Sequence, residues 1–397
     1  MTFYEFFAGG GMARLGLGRR WTPIFANDVC AKKAEAYNAN FRRSNLLVQS
    51  IEDVTVRDLP DSRADLAWAS FPCQDLSLAG NGAGLDGERS GTFWAFWNLM
   101  RDLQRANRAP RTIVLENVTG AITSNRGEDF RTLLRALSDG GYRFGPVVID
   151  GVHFVPQSRP RLFIVASDVH LPFPETQRCA DASDLWHPDA LRATYRSLPD
   201  DLKERWVWLN IPAPPRRRLN LSSLLERDTD VPWHSQEQTD FLLSIMGPVH
   251  LRKVRQAQAL GRRVVGTLYK RTRGGIQRAE VRFDEISGCL RTPGGGSSRQ
   301  TIFVVQNESI RSRLITPRET ARLMGVPDSY KLPEKYNEAY HLMGDGLVVP
   351  AVRWLERWLL TPLCEHQRQQ LTAARRLLRD RPERVAAHRA KQITLRF

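Results

Sequence analysis

Cysteine is scarce in this chain and shows no pairing pattern. Its five residues, Cys30, Cys73, Cys179, Cys289 and Cys364, include no Cys-x-x-Cys pair, and the eight histidines form no closely spaced His-x₃₋₅-His cluster. A disulfide framework and a zinc site are therefore not expected, and a reducing compartment with one thiol kept for chemistry is. Long apolar runs are missing, so no membrane span is expected. The opening residues 1–7 are too short and too uncharged for a signal peptide, and a cytoplasmic location follows as an expectation. There is no internal repeat and no low-complexity tract. Acidic residues are in deficit, 43 against 58 basic ones, for a net charge of +15 spread along the chain rather than held in a tail. Such an excess suits a polyanionic partner, because neutralising phosphates releases counterions. With 397 residues, 42% of them apolar, the chain can bury a full core as two domains or as one large domain with an insertion.

The first 170 or so residues alternate between strand and helix patterns. Short apolar strands are expected at 3–7, 24–26, 66–69, 112–115, 147–149 and 162–166, with helices at 12–18, 31–41, 92–106 and 128–139. This alternation predicts an α/β fold with a mostly parallel, doubly wound sheet, whose ligands sit beyond the carboxyl ends of the strands. From 171 to 313 the periodicity breaks down, prolines recur (Pro212, Pro214, Pro215) and basic clusters appear, which reads as a smaller, irregular domain. A helical pattern returns after Thr316-Pro317-Arg318-Glu319. Residues 314–364 are expected to rejoin the first domain, and the Arg-rich tail 365–397 to be helical.

Four segments carry candidate chemistry. Phe7-Ala8-Gly9-Gly10-Gly11 is a glycine turn between the first strand and its helix, a place where a ligand approaches backbone closely. It also serves as a plain tight turn, and with Arg14 at the third glycine position it is not the dinucleotide fingerprint. Asp28, ending the second strand, is placed for ribose hydroxyls, so the two together suggest an adenosine-containing ligand without a pyrophosphate. Phe71-Pro72-Cys73-Gln74 follows the strand at 66–69 and leads into a stretch with five glycines, 80, 82, 84, 87 and 91, which reads as a lid. Most lone cysteines are buried packing; a thiol at a strand's carboxyl end beside a lid is a candidate nucleophile. Glu116-Asn117-Val118 ends the next strand. As a helix cap it would be unremarkable chemistry, but a thiol and a carboxyl facing one heterocycle are what nucleophilic addition with acid assistance needs. Last, Gln157-Ser158-Arg159-Pro160-Arg161 sets two arginines just before a buried strand.

In this order the segments resemble the DNA (cytosine-5-)methyltransferase family, bacterial type, over nearly the whole chain apart from the middle region and the tail. Residues 86–93 and Leu314-Ile315-Thr316-Pro317-Arg318-Glu319 with Gly325 and Pro327-Asp328 extend the resemblance. It implies a Rossmann-like, S-adenosylmethionine-dependent catalytic domain, a smaller target-recognition domain, and a cytosine flipped out of double-stranded DNA. Cys73 would add to carbon 6, Glu116 would support the ring at nitrogen 3, and Arg161, with Arg159, would position base and carboxylate. Phe7, Gly9, Gly11, Asp28, Ile51, Pro72 and Asp345 would line the site of the donor and of its product, S-adenosylhomocysteine. Two positions depart from the family pattern: Ser50 stands where an acid usually precedes Ile51, and 342–346 reads Leu-Met-Gly-Asp-Gly where glutamine and then asparagine are common. A separately acting cognate restriction endonuclease is left open.

Sequence choice is expected from the middle region. Residues 248–282 hold ten basic side chains against the single acid Glu280. Arg262 and Arg263 are read as phosphate contacts, Gln157 as a DNA contact, and Arg299, beside a Gly/Ser-rich loop, as a base-edge contact. A tRNA-methylating relative and a non-catalytic DNA-binding relative are the alternatives. The first would carry a Cys-Phe-Thr segment, which is lacking here; the second would lack Cys73 or Glu116, and both are present.

Overall fold

The computed structural model describes residues 1–42, 44–72, 91–291 and 299–376, the side chain of Arg273 excepted. Strands β1 (Thr2–Phe6), β2 (Thr22–Asp28), β3 (Leu46–Val48), β4 (Leu66–Ala69), β5 (Thr112–Val118), β6 (Tyr142–Asp150) and β7 (Pro160–Asp168) form one sheet in the order β3-β2-β1-β4-β5-β7-β6. All neighbours are parallel except at β7, which runs antiparallel to both β5 and β6. Helices α1 (Met12–Leu17), α2 (Ala31–Asn40), α3 (Thr92–Arg105) and α4 (Glu128–Asp139) follow β1, β2, β4 and β5. The chain order reverses around β1, so the carboxyl ends of β1 and β4 open a crevice between them. The expected strands are all present. The short β3 was not foreseen, because three residues leave too brief a pattern to stand out.

The sheet's two faces can be read from its alternation. Phe3, Trp68, Val114 and Phe163 point into one core, and Tyr4, Ala67, Ile113 and Ile164 into the other. The second core is completed by α3 and α4, whose Phe93, Phe96, Met100, Phe130 and Leu134 are fully buried. The first is completed from the far end of the chain. Helices α9 (Pro317–Leu323), α10 (Tyr336–Gly344) and α11 (Val349–Leu355), and the π-helical turn Glu356–Leu360, supply Leu323, Leu342, Val352 and Leu359. Helix α11 lies so close to α1 that a Cβ on Gly16 would come within 2.4 Å of the Val352 Cβ.

Between these parts lie the two-stranded β8 (Arg178–Cys179) and β9 (Trp208–Leu209), then α5 (Asp189–Ser197) and α6 (Asp200–Arg205). The second domain does not begin at 171 as its composition suggested. Leu191, Leu198, Leu202 and Trp206 bury themselves in the core with α4, and Phe173, Trp186 and Leu209 in the other, so this stretch clothes the large sheet. A distinct core appears only with α7 (Gln236–Ser244) and α8 (Pro248–Ala259). They pack Leu242, Met246, Val254 and Ala257 on a second antiparallel sheet of β10 (Val264–Arg273), β11 (Ile276–Arg282), β12 (Thr301–Gln306) and β13 (Ser309–Leu314), in the order β11-β10-β12-β13. The other side of that sheet, through Val265, Ile302 and Val304, is continuous with the core under α9–α11. No helix among the described residues is long and apolar enough to cross a membrane.

Candidate active site

A cavity of about 500 Å³ opens at the carboxyl ends of β1, β2, β4 and β5. Its floor is the glycine turn. Phe7, Gly9 and Gly11 have φ of 56°, 54° and 76°, and a Cβ on Gly11 would strike the Phe41 ring at 2.3 Å, so glycine is required there. The turn is held by Asp28, whose carboxylate accepts from the backbone N–H of Gly9 at 2.7 Å and of Cys30 at 2.8 Å. One lone pair per oxygen is left to face the cavity. From the far end of the chain, the Tyr330 hydroxyl donates to Gly10 O at 2.7 Å.

Behind the turn sits a buried acid that the sequence reading passed over. Glu5, on β1, accepts from the Arg14 N–H at 3.0 Å and the Tyr37 hydroxyl at 2.8 Å, and full burial pushes its carboxyl up to about 7. A carboxylate inside the apolar run Thr2-Phe3-Tyr4-Glu5-Phe6 was the available signal. Val29, 70% exposed, borders the cavity beside Asp28 and offers an apolar face that a purine ring would cover. Ile51 is buried in the wall, and Ser50 beside it brings no acid. Asp345, at the end of α10, pairs with Lys33 of α2 at 2.8 Å across the cavity lip, which neutralises the charge that departs from the family pattern. Next to it Gly346 has no room for a side chain: a Cβ would meet Met12 Sδ at 2.1 Å.

The opposite end of the cavity holds the candidate catalytic groups. Glu116 follows Leu115, the residue of β5 paired with Ala69 of β4, and so lies level with Ser70. In the antiparallel ladder it faces Phe163, which puts Arg161, two residues earlier, diagonally across on the same face. Arg161 Nε stands 3.4 Å from Glu116 Oε1, with both side chains largely buried. Burial pushes the Glu116 carboxyl above its ordinary value, while Arg161, a hydrogen bond with Ser70 and Arg159 hold it back. Asn117 donates to Phe71 O at 3.1 Å, tying the segment that leads to Pro72 against the strand end that carries Glu116. Pro72 lines the cavity. Cys73, bonded to it, and the expected lid lie outside the described residues.

Two expected contacts take other parts. Gln157 is fully buried: its amide donates to Leu323 O at 2.8 Å and accepts from the Leu290 N–H at 3.0 Å, so it joins α9 to the second sheet's approach and has no surface for DNA. Arg159 is also buried, and its two terminal nitrogens donate to Leu290 O, Gly344 O and Gly346 O at 2.6–2.7 Å and to Cys289 Sγ at 3.2 Å. It braces three segments around the site, whereas Arg161 alone of the pair lies against the carboxyl. Arg299 is engaged with the Asn337 side chain and stacks 5.3 Å from the Tyr336 ring, against α10. Arg263 pairs with Asp228 at 2.9 Å, and Arg262 is exposed.

Dnmt2 methyltransferase of S. pombe superposes with a TM-score of 0.57 at 18% identity, over 91% of this chain and 99% of that one. The fold is that of a Rossmann-like, S-adenosylmethionine-dependent methyltransferase. Residues 1–359 match the C-5 cytosine-specific DNA methylase family, and the chain belongs to it. Similar proteins include the type II methyltransferase M1.ScrFI of Lactococcus lactis subsp. cremoris, 23% identical over 90% of this chain and 78% of that one. M.NgoBI of Neisseria gonorrhoeae is 26% identical over 88% and 89%. The protein is therefore a DNA (cytosine-5-)methyltransferase, and its family implies DNA as substrate and S-adenosylmethionine as methyl donor. The cavity fits that donor: paired lone pairs on Asp28 for a ribose, the open face of Val29 for a purine, and a tight backbone turn with no anion cradle.

Proposed function

We propose that this enzyme methylates carbon 5 of a cytosine flipped out of a specific double-stranded DNA sequence, through a covalent adduct with Cys73. The observation that carries the reading is the buried Glu116–Arg161 pair, which shares one cavity with the glycine turn, Asp28 and Pro72, the residue bonded to Cys73. Bound S-adenosylmethionine supplies an electrophilic methyl group. Phe7, Gly9, Asp28, Ile51, Pro72 and Asp345 line its place, Gly11 shapes the turn from behind against Phe41 and Tyr37, and Asp28 takes the ribose hydroxyls.

The protein's own residues do the rest. The Cys73 thiolate forms a bond to carbon 6 of the cytosine, and the displaced ring electrons make carbon 5 nucleophilic. Glu116, whose carboxyl burial pushes above its ordinary value, acts at ring nitrogen 3 as the acid that stabilises the negative charge created by addition. Arg161 holds that carboxyl in place, and Arg159 braces the backbone around it. Once carbon 5 carries the methyl group, nitrogen 3 returns its proton to Glu116; a base then removes the proton at carbon 5, the Cys73 bond breaks with the thiolate leaving, and aromaticity returns. A base buried in a duplex offers none of these atoms to a side chain, which is why the cytosine has to leave the stack. Arg262 and Arg263 add phosphate contacts, and the type II relatives favour a restriction–modification setting with a separate endonuclease. Expression in a methylation-free host followed by base-resolution mapping tests the reading. It predicts 5-methylcytosine within one short sequence for the wild type and none for Cys73→Ser; methylation at ring nitrogen or exocyclic nitrogen, or an active Cys73→Ser, would contradict it.

A further inference from the structure

The small sheet has one feature that folding alone does not explain. Strand β10 pairs with β12 only as far as Leu268 and continues with β11, which is still bridged to Met246 at the buried Ala279, before the two strands run on as a ribbon to a tight turn at Gly274-Gly275. Both glycines have positive φ, 56° and 79°, as a two-residue hairpin of this hand requires. Arg271, Thr272 and residues 274–278 are exposed, Ile276 at 56%. Arg271 and Arg278 are direct cross-strand partners. Like charges in that register oppose strand pairing, and Arg271 is steadied by Glu280 at 3.4 Å and by the Tyr269 ring at 5.9 Å. Two guanidinium groups side by side at an exposed ribbon tip are an arrangement that a polyanion favours.

The root of the ribbon lies over the active site. Tyr269 packs on Gly288 so tightly that a Cβ there would be 2.4 Å from its ring, and its hydroxyl donates to Cys289 O. Cys289 Sγ in turn accepts from Arg159 and lies 4.0 Å from Arg161 Nη2, the side chain that faces Glu116. Five residues from Tyr269 to the turn, at about 3.3 Å each, extend the ribbon roughly 17 Å from that root. This is the span of about five base steps at ~3.4 Å. A two-stranded ribbon fits the B-DNA major groove, whereas the deep, narrow major groove of A-form RNA would exclude it.

We propose that the β10–β11 ribbon enters the major groove beside the target cytosine, with Arg271 and Arg278 reading guanine edges flanking it. This rests on the duplex-DNA reading given under Proposed function. The test is the double variant R271K/R278K, which keeps the charge but loses the planar fork that holds a guanine by two bonds. Base-resolution methylation maps are compared with wild type in a methylation-free host, alongside duplex affinity in vitro. The variant is expected to keep methylating and to bind random duplex DNA as the wild type does, while discrimination at one or two flanking G·C pairs falls about 10- to 100-fold. Unchanged stringency would overturn the proposal, and so would an equal loss at every site. A wild type that leaves no 5-methylcytosine at all would sink the proposed function itself, and this inference with it; a normal wild-type map with an unchanged variant sinks the inference alone.

Discussion

Glu116 shows how one residue's surroundings set its work. Burial favours the neutral carboxyl, and Arg161 at 3.4 Å favours the ionised one; burial prevails, and the group is left above its ordinary value. A carboxyl shifted in that direction is a better proton donor to a ring nitrogen than a free glutamate at the same pH. Glu116→Gln keeps the shape and loses the proton. Single-turnover methylation is expected to fall by roughly 10²–10⁴-fold, the usual contribution of such a group, with S-adenosylhomocysteine affinity unchanged. A rate close to wild type would remove Glu116 from the chemistry. The identity of this residue was legible in the sequence because it ends a strand. The identity of its partner was only half legible: Arg159 and Arg161 directly flank Pro160, and only the antiparallel register distinguishes the one facing Glu116 from the one bracing Gly344 and Leu290.

At the scale of elements, β1, α1 and α2 are locked together by Glu5, which joins the Arg14 backbone to the Tyr37 hydroxyl, while Arg14 lies 4.3 Å over the Phe41 ring. Because burial raises Glu5 from 4.5 to about 7, the folded protein keeps a proton there that the unfolded chain gives up. That contribution to stability is fully present below pH 4.5 and is lost as pH rises through 7. Its size is on the order of 3 kcal/mol at about 1.4 kcal/mol per pH unit. Glu5→Gln keeps the shape and the acceptor for the Arg14 N–H without titrating, so its Tm is expected to fall less than the wild type's between pH 5 and 8. Parallel curves would contradict this. The strands and helices that frame Glu5 were legible because apolar periodicity runs through them. The three-residue β3 lacked a period, and the packing of 171–211 on the large sheet was hidden because irregular, proline-rich sequence gives no sign of which core it joins.

For the whole molecule, a net charge of +15 meets a polyanion, but single charges do not contribute alike. Arg262 is exposed, while Arg263 is already paired with Asp228. Arg262→Ala is therefore expected to lower the salt dependence of duplex binding by about one unit of log–log slope, on cognate and random DNA alike, and Arg263→Ala by less. Titrations at several salt concentrations distinguish them, and equal slopes for both variants would contradict the assignment. The distribution of this charge over the fold could not be read from the sequence: Gln157 looked like a DNA contact and is fully buried, and Arg299 lies at the surface against Asn337 and Tyr336. The central claim, that Cys73 attacks a flipped cytosine in the Glu116 cavity, is tested most directly with a duplex carrying 5-fluorocytosine at the target. Fluorine cannot leave as a proton, so in the presence of S-adenosylmethionine the wild type should form a denaturation-resistant complex whose tryptic mass locates the DNA on Cys73, and Cys73→Ser should form none. An active wild type that forms no such complex, or one linked through another residue, would contradict the account.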